Sequence, residues 1–186
     1  MSRNYINTTE RIFNIIELAG IVLMLFLALV FQLILNELPC PLCLLQRVGF
    51  LGVAFGFLLN LRFGLRPSHY AIVLISALYT GFVALRQVAL HVVPGTGVYG
   101  NAIFGWHLYT WCFAIAMLVV IVTTFMLSVD RQYQRPSHNN IRWRYLTHFL
   151  FVVISLLVIT NIVSVVLECG IQQCPDNPIT YKFLHP

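Results

Sequence analysis

Apolar residues in this chain gather into five long runs separated by short polar breaks, at about 13–35, 44–61, 70–93, 103–127 and 146–167. Each approaches or exceeds the roughly 20 residues that a helix needs to cross the hydrocarbon core of a bilayer. The pattern predicts an all-α membrane protein with five transmembrane helices. The longest polar stretch, 128–144, is then the loop between the fourth and fifth helices. The first run is too long for a signal-peptide core and has no clear small-x-small cleavage site, so it is expected to be retained. Residues 1–186 form one integral membrane domain on this reading, with no room for a separate soluble domain.

Composition agrees. The chain is 59% hydrophobic and 9% charged, with a mean hydropathy of +0.84. A soluble domain carries about 25% charged residues. The net charge of +5 does not point to nucleic acid, because the basic residues are scattered along membrane edges. Their distribution instead sets orientation. Arg3, Arg11, Arg62, Arg66, Arg131, Arg135, Arg142 and Arg144 fall on one side, and Lys182 alone on the other. The positive-inside rule puts the N-terminus in the cytoplasm and the 168–186 tail outside.

That orientation gives the cysteines their chemistry. Cys40 and Cys43 flank the first outer turn, within Pro39-Cys40-Pro41-Leu42-Cys43. Cys169 and Cys174 follow the fifth span. All four face the compartment where disulfides persist. A Cys-x-x-Cys pair fits half of a structural zinc site, with His91 and His107 as further ligands, or a static disulfide. Position favours a redox pair. Cys43 is expected to begin the second helix, where the helix dipole and free N–H groups stabilise a thiolate. Arg47 adds a full positive charge one turn on. Cys40, between two prolines, is expected to be the more exposed thiol. The Cys169–Cys174 spacing suits a closed loop turned by Gly170 and Pro175. It fits either a bridge that ties down the tail or a second redox pair, and two outer dithiols with almost no outer domain to staple favour the second. Cys112 is expected inside the fourth span, roughly 14 Å deep by helix rise, as a small buried hydrophobe.

Arg86 and Gln87 fall inside the third span. An intramembrane Arg is a functional candidate, although it also snorkels or caps loose carbonyls at helix ends. With Arg47 and His91 it is expected to form a cluster near Cys43 that holds developing negative charge on a carbonyl oxygen. Trp106, Tyr109 and Trp111 around His107 read as an interfacial aromatic belt. A rival reading makes His91 and His107 axial ligands of a haem; another makes the Cys and His residues a non-catalytic metal site. Gly49, Gly52 and Gly56 line one face of the second helix and predict close helix packing.

The segment Cys40-Pro41-Leu42-Cys43-Leu44-Leu45-Gln46-Arg47, between the first two spans, resembles the bacterial DsbB family of membrane thiol:quinone oxidoreductases. The 84–94 segment with Arg86 and His91 is similar to the family's third span and its exit, and Gly105-Trp106-His107-Leu108-Tyr109-Thr110-Trp111 also resembles members of it. The resemblance implies a four-helix transmembrane bundle in the bacterial inner membrane, here with a fifth helix added. It implies reoxidation of a periplasmic thioredoxin-fold, DsbA-like partner and transfer of electrons to ubiquinone or menaquinone. By motif, Cys43 is the thiol beside the quinone, Cys40 its disulfide partner and Arg47 the quinone-side cation; His91 is a weaker match. The family's second pair lies in a long loop between the third and fourth spans. Here that loop, 94–102, is short and has no Cys, so the tail pair Cys169 and Cys174 is expected to replace it.

Overall fold

In the computed structural model each apolar run becomes a helix. The structure describes residues 5–34, 38–93, 95, 102–133, 141–170, 172, 174 and 181. The helices are α1 (Tyr5–Ile34), α2 (Pro41–Phe63), α3 (Pro67–His91), α4 (Leu108–Leu127) and α5 (Ile141–Cys169). All five are long and apolar enough to cross a bilayer, so the chain is an all-α, multi-pass membrane bundle. Arg3, Arg135 and Lys182 of the charge pattern, Pro175, and most of the 94–102 loop and the tail lie outside the described residues.

Local chemistry sets the helix ends. Pro41 and Pro67 occupy first-turn positions, where a missing N–H costs nothing. Gly64, at φ 91°, stops α2. The fourth apolar run starts at 103, yet its helix starts only at Leu108. Residues 102–107 instead form a small antiparallel hairpin, β1 (Ala102–Ile103) paired with β2 (Trp106–His107). Phe104 at φ 51° and Gly105 at φ 82° turn it, the paired positive angles that a tight hairpin needs. Cys112 therefore lies about one turn inside α4, nearer the helix start than the apolar run implies.

The core draws on all five helices. Leu18, Ile21, Leu25 and Leu29 face Phe50, Val53 and Phe57, with Val73 and Ala77 from α3. The glycine face of α2 sets the closest approach. A Cβ at Gly49 would collide with Thr80, one at Gly52 would meet Ser76 Oγ at 2.5 Å, and one at Gly56 would meet the His69 carbonyl at 3.0 Å. Small residues thus draw α2 against α3, as their spacing predicts. The end remote from the cysteines is tied by a buried polar network. Asn14 donates to Tyr70 Oη at 2.9 Å, Asn60 donates to Asn14 at 3.0 Å, and Tyr70 donates to Gln132 at 3.2 Å.

Candidate functional site

Cys40 ends the first turn and Pro41 begins α2, so the Cys-x-x-Cys pair wraps the helix N-terminus. The Cys40 carbonyl accepts from Leu44 N–H at 3.0 Å, and its sulfur accepts from Cys43 N–H at 3.1 Å. Cys40 is thus the helix cap, and Cys43 lies inside the first turn rather than beginning the helix. The expected exposures are also reversed. Cys40 is 6% exposed, and Cys43 is only half-buried. Flanking prolines suggest an open loop, but the cap is covered by α3.

The two cysteines form a disulfide, with Cα atoms 5.0 Å apart. Gln87 of α3 sits over it. Its Nε2 donates to Cys40 Sγ at 3.2 Å and approaches Cys43 Sγ at 3.5 Å. Gln46 Nε2 donates to Gln87 Oε1 at 2.7 Å. That second bond fixes the amide so that its N–H groups, not its oxygen, face the sulfurs. A disulfide sulfur is a weak acceptor, whereas a thiolate is a strong one. This donor therefore favours the reduced, anionic state more than the bridge.

Cys43 opens onto a cavity of about 270 Å³. Its walls are mostly apolar, from Leu25, Phe31, Phe50, Ile103, Tyr109 and Ile115 among others. Polar groups enter from Gln32, Gln46, Arg47 and Gln87, and the Cys112 thiol also lines it. Arg47 is held in place by three acceptors. Its guanidinium donates to Gln32 Oε1 at 2.7 Å, to Asn161 Oδ1 at 3.4 Å and to the Ala28 carbonyl at 3.2 Å. Gln32 in turn donates to Ser164 Oγ, and its Nε2 lies 3.2 Å from Tyr181 Oη. Helix α5 and the tail thus reach the same end of the bundle as Cys40 and Cys43.

The other candidates lie around this centre. Arg86 is exposed on α3 and is not part of the cavity lining. His91 also stands outside the lining, with its ring 5.3 Å from the cavity residue Tyr109. The His107 ring stacks on the same tyrosine, 5.3 Å away and 12° from parallel. Both histidines therefore pack against one phenol ring. Among the described residues no group of three or more His, Cys, Asp or Glu is arranged to hold a metal.

Cys169 and Cys174 form the second disulfide, with Cα atoms 4.6 Å apart. Cys169, the last residue of α5, is 2% exposed, whereas Cys174 is only half-buried. Glu168, just before Cys169, is fully buried; among the described residues neither carboxylate oxygen has a hydrogen-bond partner, and the carboxyl interacts electrostatically with Arg47.

Sequence reading gives no role to Gln32, Gln46, Gln87 or Asn161. Residues 10–99 match the family model described as Disulfide bond formation protein DsbB. The matched stretch holds Cys40, Cys43, Arg47 and α3, and it ends before α4, α5 and the tail pair. Comparison with curated proteins and with solved structures finds no match.

Proposed function

We propose, from the match of residues 10–99 to the DsbB family model, that this chain is a disulfide oxidoreductase of that family, which oxidises the dithiol of a periplasmic, DsbA-like thioredoxin-fold protein and reduces a membrane quinone. The observation that carries this reading is the lining of one apolar cavity by both Cys43 and Arg47. Its volume, about 270 Å³, suits the ring headgroup of ubiquinone or menaquinone, with apolar walls and a few convergent polar groups. A bound quinone would supply an acceptor for two electrons and two protons.

The chain's own groups do the rest. A thiolate of the partner attacks one sulfur of the Cys169–Cys174 disulfide and forms a mixed disulfide. The partner's second thiol resolves it, leaving the partner oxidised and both tail cysteines as thiols. These reduce the Cys40–Cys43 disulfide by the same exchange and close their own bridge. The Cys40 and Cys43 sulfurs, as anions, are held by the helix start and by Gln87. Re-forming the Cys40–Cys43 bond from the two thiolates gives up two electrons, which a quinone bound in the cavity would accept, and the two protons lost when the thiols ionised would complete the quinol. Arg47 stabilises negative charge developing there, in a site whose apolar walls strengthen its field.

In this reading Cys40, Cys43, Cys169 and Cys174 are the catalytic cysteines and Arg47 is the quinone-side cation. His91 acts on the cavity through Tyr109, and Arg86 stands outside it. The family match supports a bacterial inner-membrane location, and the arginine distribution supports an N-terminus in the cytoplasm and a C-terminus in the periplasm. The test is quinone-coupled turnover of the purified protein with a reduced thioredoxin-fold donor, followed by quinone absorbance. Turnover is expected for the natural protein and absent in Cys43→Ser; undiminished turnover in that variant overturns the scheme.

A further inference from the structure

Arg47 is a charged group on a membrane helix, so its acceptors decide where its guanidinium points. One of the three, the Ala28 carbonyl, is backbone of α1. The other two depend on α5. Asn161 Oδ1 lies 3.4 Å from the guanidinium, and Gln32, the closest acceptor, is itself bonded to Ser164 of α5. The Asn161 amide cannot turn freely. Its Nδ2 donates to the Leu157 carbonyl one turn back at 2.8 Å, which leaves the oxygen aimed at Arg47. Asn161 is 6% exposed, in a helix whose outward residues are mostly apolar. An amide buried in a membrane helix costs free energy unless its polar atoms find partners, and here the partner is the cavity's cation. Helix α5 also lies wholly outside the 10–99 stretch that carries the family match.

We infer that α5 completes the quinone cavity through Asn161, a positioning residue that orients the Arg47 guanidinium toward the bound ring. The inference rests on the quinone reading of the cavity. It assigns the fifth helix a part in cofactor binding as well as in carrying the tail disulfide. Asn161 does not line the cavity itself, so its effect passes entirely through Arg47.

The test is a titration of the full-length purified protein with a short-chain ubiquinone analogue, read by quenching of tryptophan fluorescence; Trp111 lines the cavity. Asn161→Leu removes the acceptor, and its affinity for the analogue is expected to fall about tenfold, the scale of one hydrogen bond to a charged group. In turnover the quinone KM is expected to rise while kcat at saturating quinone holds. Asn161→Gln, which keeps an amide oxygen, is expected to recover most of the affinity. Should Asn161→Leu fail to accumulate, Asn161→Ala gives the same reading. Unchanged affinity in these variants beside normal binding by the natural protein overturns the inference alone. A loss that Asn161→Gln does not recover assigns Asn161 to packing and also overturns it. Absence of saturable quenching in the natural protein overturns the quinone reading and this inference together.

Discussion

The Gln87 amide donates to the Cys40 sulfur across 3.2 Å, joining the third span to the redox pair at the start of the second. Because the donor gains strength when the sulfur is anionic, its removal acts on the reduced state. Gln87→Leu is expected to lower the thiolate fraction of the Cys40–Cys43 pair at neutral pH and slow its alkylation about tenfold, in line with the loss of a charge-assisted hydrogen bond. The measurement is the alkylation rate of the reduced protein against pH. Rates that overlay the natural protein's across the range would remove Gln87 from the site.

The two sulfurs of the tail disulfide differ in exposure, and in the proposed exchange that difference selects the one a donor attacks. Cys169 is buried at the end of α5, and Cys174 is more open. Exchange needs a clear path to the attacked sulfur. A donor keeping only its attacking cysteine is expected to be trapped on Cys174, in a protein whose Cys40 and Cys43 are both changed to Ser. Peptide mapping by mass spectrometry reads the linkage. Trapping on Cys169 would reverse the assignment.

The glycine face of α2 places Gln87 over the sulfurs by letting α3 approach. A Cβ at Gly49 would collide with Thr80. Gly49→Val is therefore expected to destabilise the bundle by about 1–3 kcal/mol, the usual cost of overpacking. Thermal unfolding in detergent would show it as a lowered Tm. An unchanged Tm would mean the helices separate there without cost.

Much of this was legible in the sequence, and the gaps have physical causes. The five spans follow from apolar run length alone, and the small-residue face of α2 from its spacing. Helix α4 starts later than its apolar run because the hairpin strands Ala102–Ile103 and Trp106–His107 continue the run without forming helix. The hairpin's turn signal was Gly105, and Phe104 adopts positive φ beside it. Cys40 read as open because two prolines flank it, yet Pro41 suits a first-turn position and makes Cys40 the cap.

Attention to charge hid the amides. Arg86 drew notice, but its neighbour Gln87 continues the buried stripe of Val73, Ala77, Thr80 and Ala84. Gln32 likewise extends Leu18, Ile21, Leu25 and Leu29, and Asn161 extends Leu150, Ile154 and Leu157. An uncharged polar residue in phase with an apolar stripe points inward, where it must find a partner. That phase was readable; which partner it would find was not, because Arg47 meets Asn161 across 114 positions of chain.

The most direct measurement is a single turnover without any protein donor. The fully reduced protein is mixed with a limiting amount of quinone, and quinol formed is counted against the disulfide that appears between Cys40 and Cys43. The expected result is one disulfide per quinol, with the reaction lost in Cys43→Ser and with the tail cysteines dispensable for it. Quinone left unreduced while Cys40 and Cys43 remain thiols would contradict a direct electron path from that pair into the cavity.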